Sequence, residues 1–296
     1  MGRIAEALKK AEQERLARPD VVAGRGIAPA ETPMWPLAGS EAAEGDDAQS
    51  APDPDAVVEG MSESLVAYYD RSSVLSEQYR ALRTRLLSQN QHNEHRVLAI
   101  TSSVPREGKT ITAVNLAFTL AEVRHFNVLV VDADFRRSSL AKVLGLSSTP
   151  GLSDLLTNNA TYPEVIQKTV VPNLQFIASG ELNGHNATEL LSAITTRSVF
   201  RWFESQYHFT IVDTPPATTV TDAGIIGQNC SGVIMVVRMH HTPEQLAKRA
   251  VRLLQVNNVP VVGGVLVGRG ERGSGDEYRL NYCRYDNFHG AKGDRR

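Results

Sequence analysis

Short apolar runs punctuate the middle of the chain, at Val97–Ile100, Val128–Val131, Leu174–Ala178, Phe209–Val212, Val233–Val237 and Val259–Val267. Runs of this length are the pattern of parallel strands covered on both faces. Between them, segments with apolar residues every three or four positions predict helices. These fall over Ile111–Ala121, Leu152–Leu156, a longer stretch opening at Thr188 and reaching about Ser205, and Pro243–Val256. Strands alternating with helices over about 170 residues predict one α/β domain with a mostly parallel sheet and helices on both faces. Upstream, Ser76–Leu87 is amphipathic, with Tyr79, Leu82, Leu86 and Leu87 on one face. Leu65–Tyr69 reads as a short strand or extended arm, and no internal repeat is visible.

The pattern fades at both ends. Residues 2–18 have a weak apolar stripe of Ile4, Ala5, Leu8, Ala11 and Leu16, closed by Pro19. A helix this short is marginal alone in water, so it is expected to dock on something. Residues 19–63 hold six prolines, ten acidic residues and a single basic one, Arg25. Such a segment buries too little apolar surface to offset its ordering entropy and is expected to be a disordered linker. Within it, Trp35 reads as an exposed aromatic or a docking motif. After Gly268 the chain turns polar and glycine-rich, yet three of its eight tyrosines, Tyr278, Tyr282 and Tyr285, cluster there. The expected organisation is a helix at 1–18, the linker at 19–63, the α/β domain at 64–268 and a flexible tyrosine-bearing tail at 269–296.

Composition narrows the class. With 296 residues, 42% of them apolar, the chain has ample material for a core. A formal charge of −2 gives no electrostatic case for a nucleic-acid partner. No run of about 18 apolar residues exists, and the charged N-terminus lacks the apolar region of a secretory signal. Cys230 and Cys283 have no metal-type spacing. The expected compartment is the cytoplasm.

Three motifs bear chemistry. Thr101 to Thr110 lies between a predicted strand and a predicted helix and ends Gly108-Lys109-Thr110, the context of a phosphate-binding P-loop. Its backbone amides and the following helix N-terminus offer positive charge to a triphosphate. Lys109 is placed to reach the β- and γ-phosphates and Thr110 to ligate Mg²⁺. Ser103 stands where the usual pattern begins with Gly. The residues expected to cradle the nucleotide are Ser103, Val104, Pro105, Arg106, Glu107, Gly108, Lys109, Thr110 and Thr112. Second, Asp132 and Asp134 follow a strand end and precede Arg136, on the edge where α/β proteins bind ligands. A turn-forming pair explains one aspartate more readily than two. Third, Phe209–Val212 runs into Asp213-Thr214-Pro215-Pro216, a strand ending in an aspartate and a stiff turn, as in a Walker B element that holds Mg²⁺. The fold class is therefore P-loop NTPase-type α/β.

Together these residues resemble the bacterial tyrosine kinases of exopolysaccharide and capsule synthesis, over roughly residues 64–290. The likeness rests on Ser102–Thr110, on Val130–Arg136 and on Val212–Pro216. On spacing alone, Glu77, Arg80 and Arg83 read as a solvated stripe with one ion pair worth about 0.2–0.5 kcal/mol. The resemblance implies that this stripe forms homo-oligomeric rings and that Tyr278, Tyr282 and Tyr285 are the phosphoacceptors, and the short glycine-rich reach to Tyr278 predicts modification in trans. It implies ATP and Mg²⁺ as cofactors, with Thr110, Asp134 and Asp213 near the metal. It further implies a separate transmembrane polysaccharide co-polymerase that would hold the chain at the inner face of the plasma membrane. The start, Met1 to Leu8, is similar to members found beside polysaccharide export genes. Four departures stand out: Arg106 where the family usually has Gly, Ala187 for Pro, Gly268 where many relatives have Asn, and fewer tail tyrosines.

The expected reaction is transfer of the ATP γ-phosphate to tyrosine, with Asp132 orienting the phenol and accepting its proton. A nucleotide-switched partitioning ATPase shares the fold and two motifs, but carries a Lys where this chain has Val104 and needs no tyrosine tail. A catalytically inactive scaffold of an export machine fits poorly with the intact Lys109, Thr110, Asp132, Asp134 and Asp213.

Overall fold

Seven strands form one sheet in the order β3-β4-β2-β5-β1-β6-β7, in a computed structural model that describes residues 60–90 and 94–268. The expected helix at 2–18, all of the linker before Gly60, Trp35, and the tail residues Tyr278, Tyr282 and Tyr285 lie outside the described residues.

In chain order the described elements begin with α1 (Val66–Tyr69), α2 (Val74–Ser88), β1 (Arg96–Ser102) and α3 (Lys109–Ala121). Next come β2 (Val128–Asp132), α4 (Leu140–Leu144), α5 (Leu152–Leu156), α6 (Tyr162–Val165), β3 (Ile166–Lys168) and β4 (Leu174–Ile177). The series closes with α7 (Ala187–Ser192), α8 (Ile194–Gln206), β5 (Phe209–Asp213), α9 (Asp222–Gly227), β6 (Gly232–Arg238), α10 (Glu244–Val256) and β7 (Val261–Val267). All pairings are parallel except β3 with β4.

Strand alternation divides the core in two. Leu98, Ile100, Val128, Val130, Phe209, Ile211, Ile234 and Val236 face one side, against α1, α2, α3 and α4. Val97, Ala99, Leu129, Val131, Val212, Val233 and Met235 face the other, against α5, α8, α9 and α10. Because side chains alternate every residue, a strand buried on both faces must be apolar throughout, which is why these strands stood out in the sequence.

Register then places the chemistry. Ile100 pairs with Asp213 across β1 and β5, and Asp132 pairs with Asp213 across β2 and β5. The carboxyl ends of three adjoining strands therefore meet at one edge of the sheet.

Two expectations are corrected. Leu65–Tyr69 is not extended: Val66–Tyr69 is one helical turn. Leu65 and Tyr68, three residues apart, are both buried, and the Ala67 amide donates to the Asn115 side chain at 2.9 Å, pinning the turn to α3. The long helix expected from Thr188 to Ser205 is two, broken at Ala193, whose ψ of 153° is extended. Ile194-Thr195-Thr196 follows, a β-branched run that disfavours continuation. The Thr196 hydroxyl donates to the Leu190 carbonyl at 2.9 Å and satisfies the broken end.

Candidate nucleotide site

β1 ends at Ser102, and α3 opens with Lys109 directly after Gly108, whose φ of 92° is left-handed. Arg106 is also left-handed, at φ 69°. An L residue with a side chain pays about 1–2 kcal/mol there and glycine does not, so Arg for Gly is a strained choice. Ser103 and Thr112 are buried, and the Ser103 hydroxyl has no hydrogen-bond partner.

Four ionisable side chains converge behind this loop. Lys109 Nζ lies 2.9 Å from Asp134 Oδ2 and 3.2 Å from Asp213 Oδ1. The Thr110 hydroxyl donates to Asp213 Oδ2 at 2.6 Å. Asp132 Oδ1 accepts from the Asp134 amide at 3.0 Å and Oδ2 from the Leu140 amide at 3.1 Å. All three aspartates are buried. Three carboxylates face one ammonium, so the fully ionised cluster is short of positive charge.

The titration of these groups follows from that excess. Burial, and then the Asp213 charge, raise Asp132 to about 7, against the pull of the two amides and Lys109. Burial also pushes Asp213 upward, opposed by Lys109 and the Thr110 hydroxyl. Burial disfavours charge on Lys109, but Asp213 and Asp134 outweigh it and hold the ammonium above its ordinary range.

The donor set fits Mg²⁺. Thr110, Asp134 and Asp213 present hard oxygen ligands, and Asp134 Oδ2 has no partner besides the Lys109 ammonium. Among the described residues no group of three or more His, Cys, Asp or Glu forms a self-sufficient metal cage. Mg²⁺ does not require one, since it takes one or two carboxylates and completes its shell with water and phosphate.

Some predicted residues serve differently from what the motif suggested. Glu107 is fully buried and its carboxylate turns inward, accepting from the Val104 amide at 2.7 Å and from the Thr242 hydroxyl. It is therefore not a side-chain ligand for phosphate. Arg136 points to Asp222, Nε to Oδ2 at 3.4 Å, and Asp222 also accepts from the Thr188 hydroxyl. Gly268 sits against Met239, and a Cβ there would come within 3.0 Å of the Met239 Cβ. Ala187 is the first residue of α7, after the Asn186 cap, a position where Pro and Ala are both accommodated.

The Glu77–Arg83 stripe has an intramolecular partner that spacing did not reveal. Glu122, the cap at the end of α3, receives Arg80 at 2.7 Å and Arg83 at 2.6 Å. Arg83 also donates to the Thr119 carbonyl at 2.6 Å, and Arg80 to Glu77 at 2.5 Å. Two arginines on the last turn of the loop helix also complement its negative dipole end. Glu77 remains 51% exposed. Thr242 and Glu122 were missed because each meets its partner from a distant part of the chain, and neither belongs to a local motif.

Comparison with known proteins agrees with this geometry. Residues 95–250, more than half of the chain, match the AAA domain family, which sets the class as a P-loop nucleotide-binding domain. The chain is 31% identical to CapB of Staphylococcus aureus over 194 residues, covering 66% of this chain and 84% of that one. It is 30% identical to the tyrosine-protein kinase YwqD of Bacillus subtilis over 209 residues, covering 71% and 87%. The kinase domain of the Escherichia coli tyrosine kinase ETK superposes with a TM-score of 0.67 at 29% identity, covering 71% of this chain and 81% of that one. The chain belongs to the bacterial tyrosine-protein kinase family.

Proposed function

We propose that this chain is an ATP- and Mg²⁺-dependent protein tyrosine autokinase whose acceptors are Tyr278, Tyr282 and Tyr285. The observation that carries the reading is the buried meeting of Lys109, Thr110, Asp134 and Asp213 behind a phosphate-type loop. Without nucleotide, Lys109 neutralises the carboxylates. With nucleotide, the same ammonium would serve the β- and γ-phosphates, and Thr110, Asp134 and Asp213 would hold Mg²⁺, directly or through water. Bound Mg²⁺ supplies charge neutralisation for the triphosphate.

The phenol oxygen attacks the γ-phosphorus, the bond to the β-phosphate oxygen breaks, and ADP leaves. The phenol has a pKa near 10, so its proton needs an acceptor at neutral pH. Asp132 takes that proton. Its two oxygens accept the Asp134 and Leu140 amides, which fix the carboxylate, and each oxygen keeps a lone pair free to take the proton.

Glu77, Arg80 and Arg83 form the contact between copies, with the tail of one entering the site of the next. The biological setting is exopolysaccharide polymerisation or export, with a separate transmembrane co-polymerase holding the kinase at the inner face of the membrane. The family relationship supports this setting.

Incubation with γ-labelled ATP and Mg²⁺, followed by phosphoamino-acid analysis, tests the reading. Label in phosphotyrosine is expected. Label released only as inorganic phosphate would favour a nucleotide-switched ATPase.

A further inference from the structure

A carboxylate inside an anion-binding loop opposes the phosphates unless it is turned away. Glu107 is turned away completely, with no exposed surface. One of its oxygens accepts from the Val104 amide at 2.7 Å, closing the loop on itself. The other accepts from the Thr242 hydroxyl and, at 3.5 Å, from the Arg238 amide. That amide also donates to the Thr242 oxygen at 3.2 Å, which makes a closed triangle. One residue earlier, the Arg238 guanidinium donates to the Arg106 carbonyl at 3.2 Å. Residues 238–242, the turn from β6 into α10, thus grip the loop at two consecutive residues, one of them the left-handed Arg106.

We infer that Glu107 and Thr242 are positioning residues that hold the phosphate loop open for nucleotide, with Arg238 as the second grip. The clamp acts by preorganisation. A loop with glycine at only one of its two left-handed positions has extended conformers that are easier to adopt. Each collapsed conformer reduces the apparent affinity in proportion to its population. The clamp removes those conformers by giving Glu107 three donors that no other arrangement supplies. It touches neither the γ-phosphate nor the acceptor, so it acts equally on bound ATP and on the transition state. Its loss therefore raises KM for ATP and spares kcat. This inference rests on the nucleotide-site reading above.

The test measures Mg·ATP binding and steady-state kinetics on the full chain, with the melting temperature taken without nucleotide. Thr242→Val removes the donor at nearly constant volume. It should weaken Mg·ATP binding and raise KM about tenfold, the effect of losing one hydrogen bond to a charged group, with kcat within about twofold. Thr242→Ser keeps the hydroxyl and should restore wild-type KM. Arg238→Met, at an exposed side chain, should give about a threefold loss of affinity, the low end for one hydrogen bond. If wild type binds Mg·ATP and the Val and Met variants bind it equally well, the clamp is refuted while the site stands. A lower melting temperature with unchanged KM would refute it too. Should Thr242→Val fail to fold, Arg238→Met alone decides, and unchanged affinity overturns the inference. Wild type that does not bind Mg·ATP overturns the nucleotide site itself.

Discussion

Lys109 Nζ stands 2.9 Å from Asp134 Oδ2, an oxygen that no hydrogen bond otherwise satisfies. On the proposed reading, the cation that would meet the phosphates is paired here with a carboxylate that would hold Mg²⁺.

Lys109→Met should therefore do more than abolish transfer. It leaves Asp134 and Asp213 buried without a counter-charge, at a cost of up to about 3–5 kcal/mol in the metal-free chain. Millimolar Mg²⁺ should return part of that stability, because a cation again faces the carboxylates. Urea unfolding with and without Mg²⁺ checks this. A variant as stable as wild type in chelator would show that the pair is not what holds Lys109.

Asp132 gives a pH dependence. Its folded-state pKa, about 7, lies above the usual aspartate value of 3.8, so the folded chain holds this proton more tightly than the unfolded one. Between those two values the unfolded chain ionises first. Stability in chelator should fall as pH climbs through that window and level off above it. Lys109, Asp213 and the amides of Asp134 and Leu140 face this group and set the window. Asp132→Asn should flatten the slope in unfolding titrations and retain nucleotide binding. It should also lower transfer about 10²–10⁴-fold, the usual worth of a general base. A loss below about threefold would remove Asp132 from that role.

Glu77 of the stripe and its partner residue Glu122 should separate by function. Glu122 lies between Arg80 and Arg83, and those contacts hold its carboxyl below the usual range against its burial. That stabilisation is present above the ordinary glutamate pKa and is lost as pH falls through the depressed one. Glu122→Gln should cost about 1–2 kcal/mol in urea unfolding. Glu77→Lys, at a half-exposed position, should barely change stability but shift sedimentation toward smaller species. Intact assemblies with Glu77→Lys would exclude the stripe as the contact between copies.

Much of the site was readable in the sequence because each motif sits at the end of an apolar strand. Parallel strands all end at the same edge, so Lys109, Asp132, Asp134 and Asp213 had to approach one another. The left-handed turn at Arg106 was foreshadowed by the glycine it replaces. Contacts between distant loops were not readable. Glu122 gave no sign of its arginines, and the loop's spacing did not show the Glu107 side chain turned onto Val104 and Thr242. The single turn at Val66–Tyr69 was misread because four residues cannot show a period. The break at Ala193 was hidden because its flanks, Leu190 and Leu191 before it and Val199 and Phe200 after it, continue a helical spacing.

The proposed function carries a further expectation, transfer between copies. Tyr278 lies ten residues beyond Gly268, and a glycine-rich chain of that length has an r.m.s. span under about 20 Å. Full-length Lys109→Met mixed with an active chain ending at Arg269 should acquire phosphotyrosine. Each phosphate adds about −1.5 to −2 charges and should loosen the assembly. If the inactive chain stays unmodified while wild type phosphorylates itself at a concentration-independent rate, transfer is within one copy.

Peptide mass spectrometry of the purified full chain, after incubation with ATP and Mg²⁺, decides whether the chain is a tyrosine autokinase. The account predicts phosphate on Tyr278, Tyr282 or Tyr285 in wild type and on none of them in Lys109→Met. ATP consumed by wild type with all three tyrosines unmodified would contradict it.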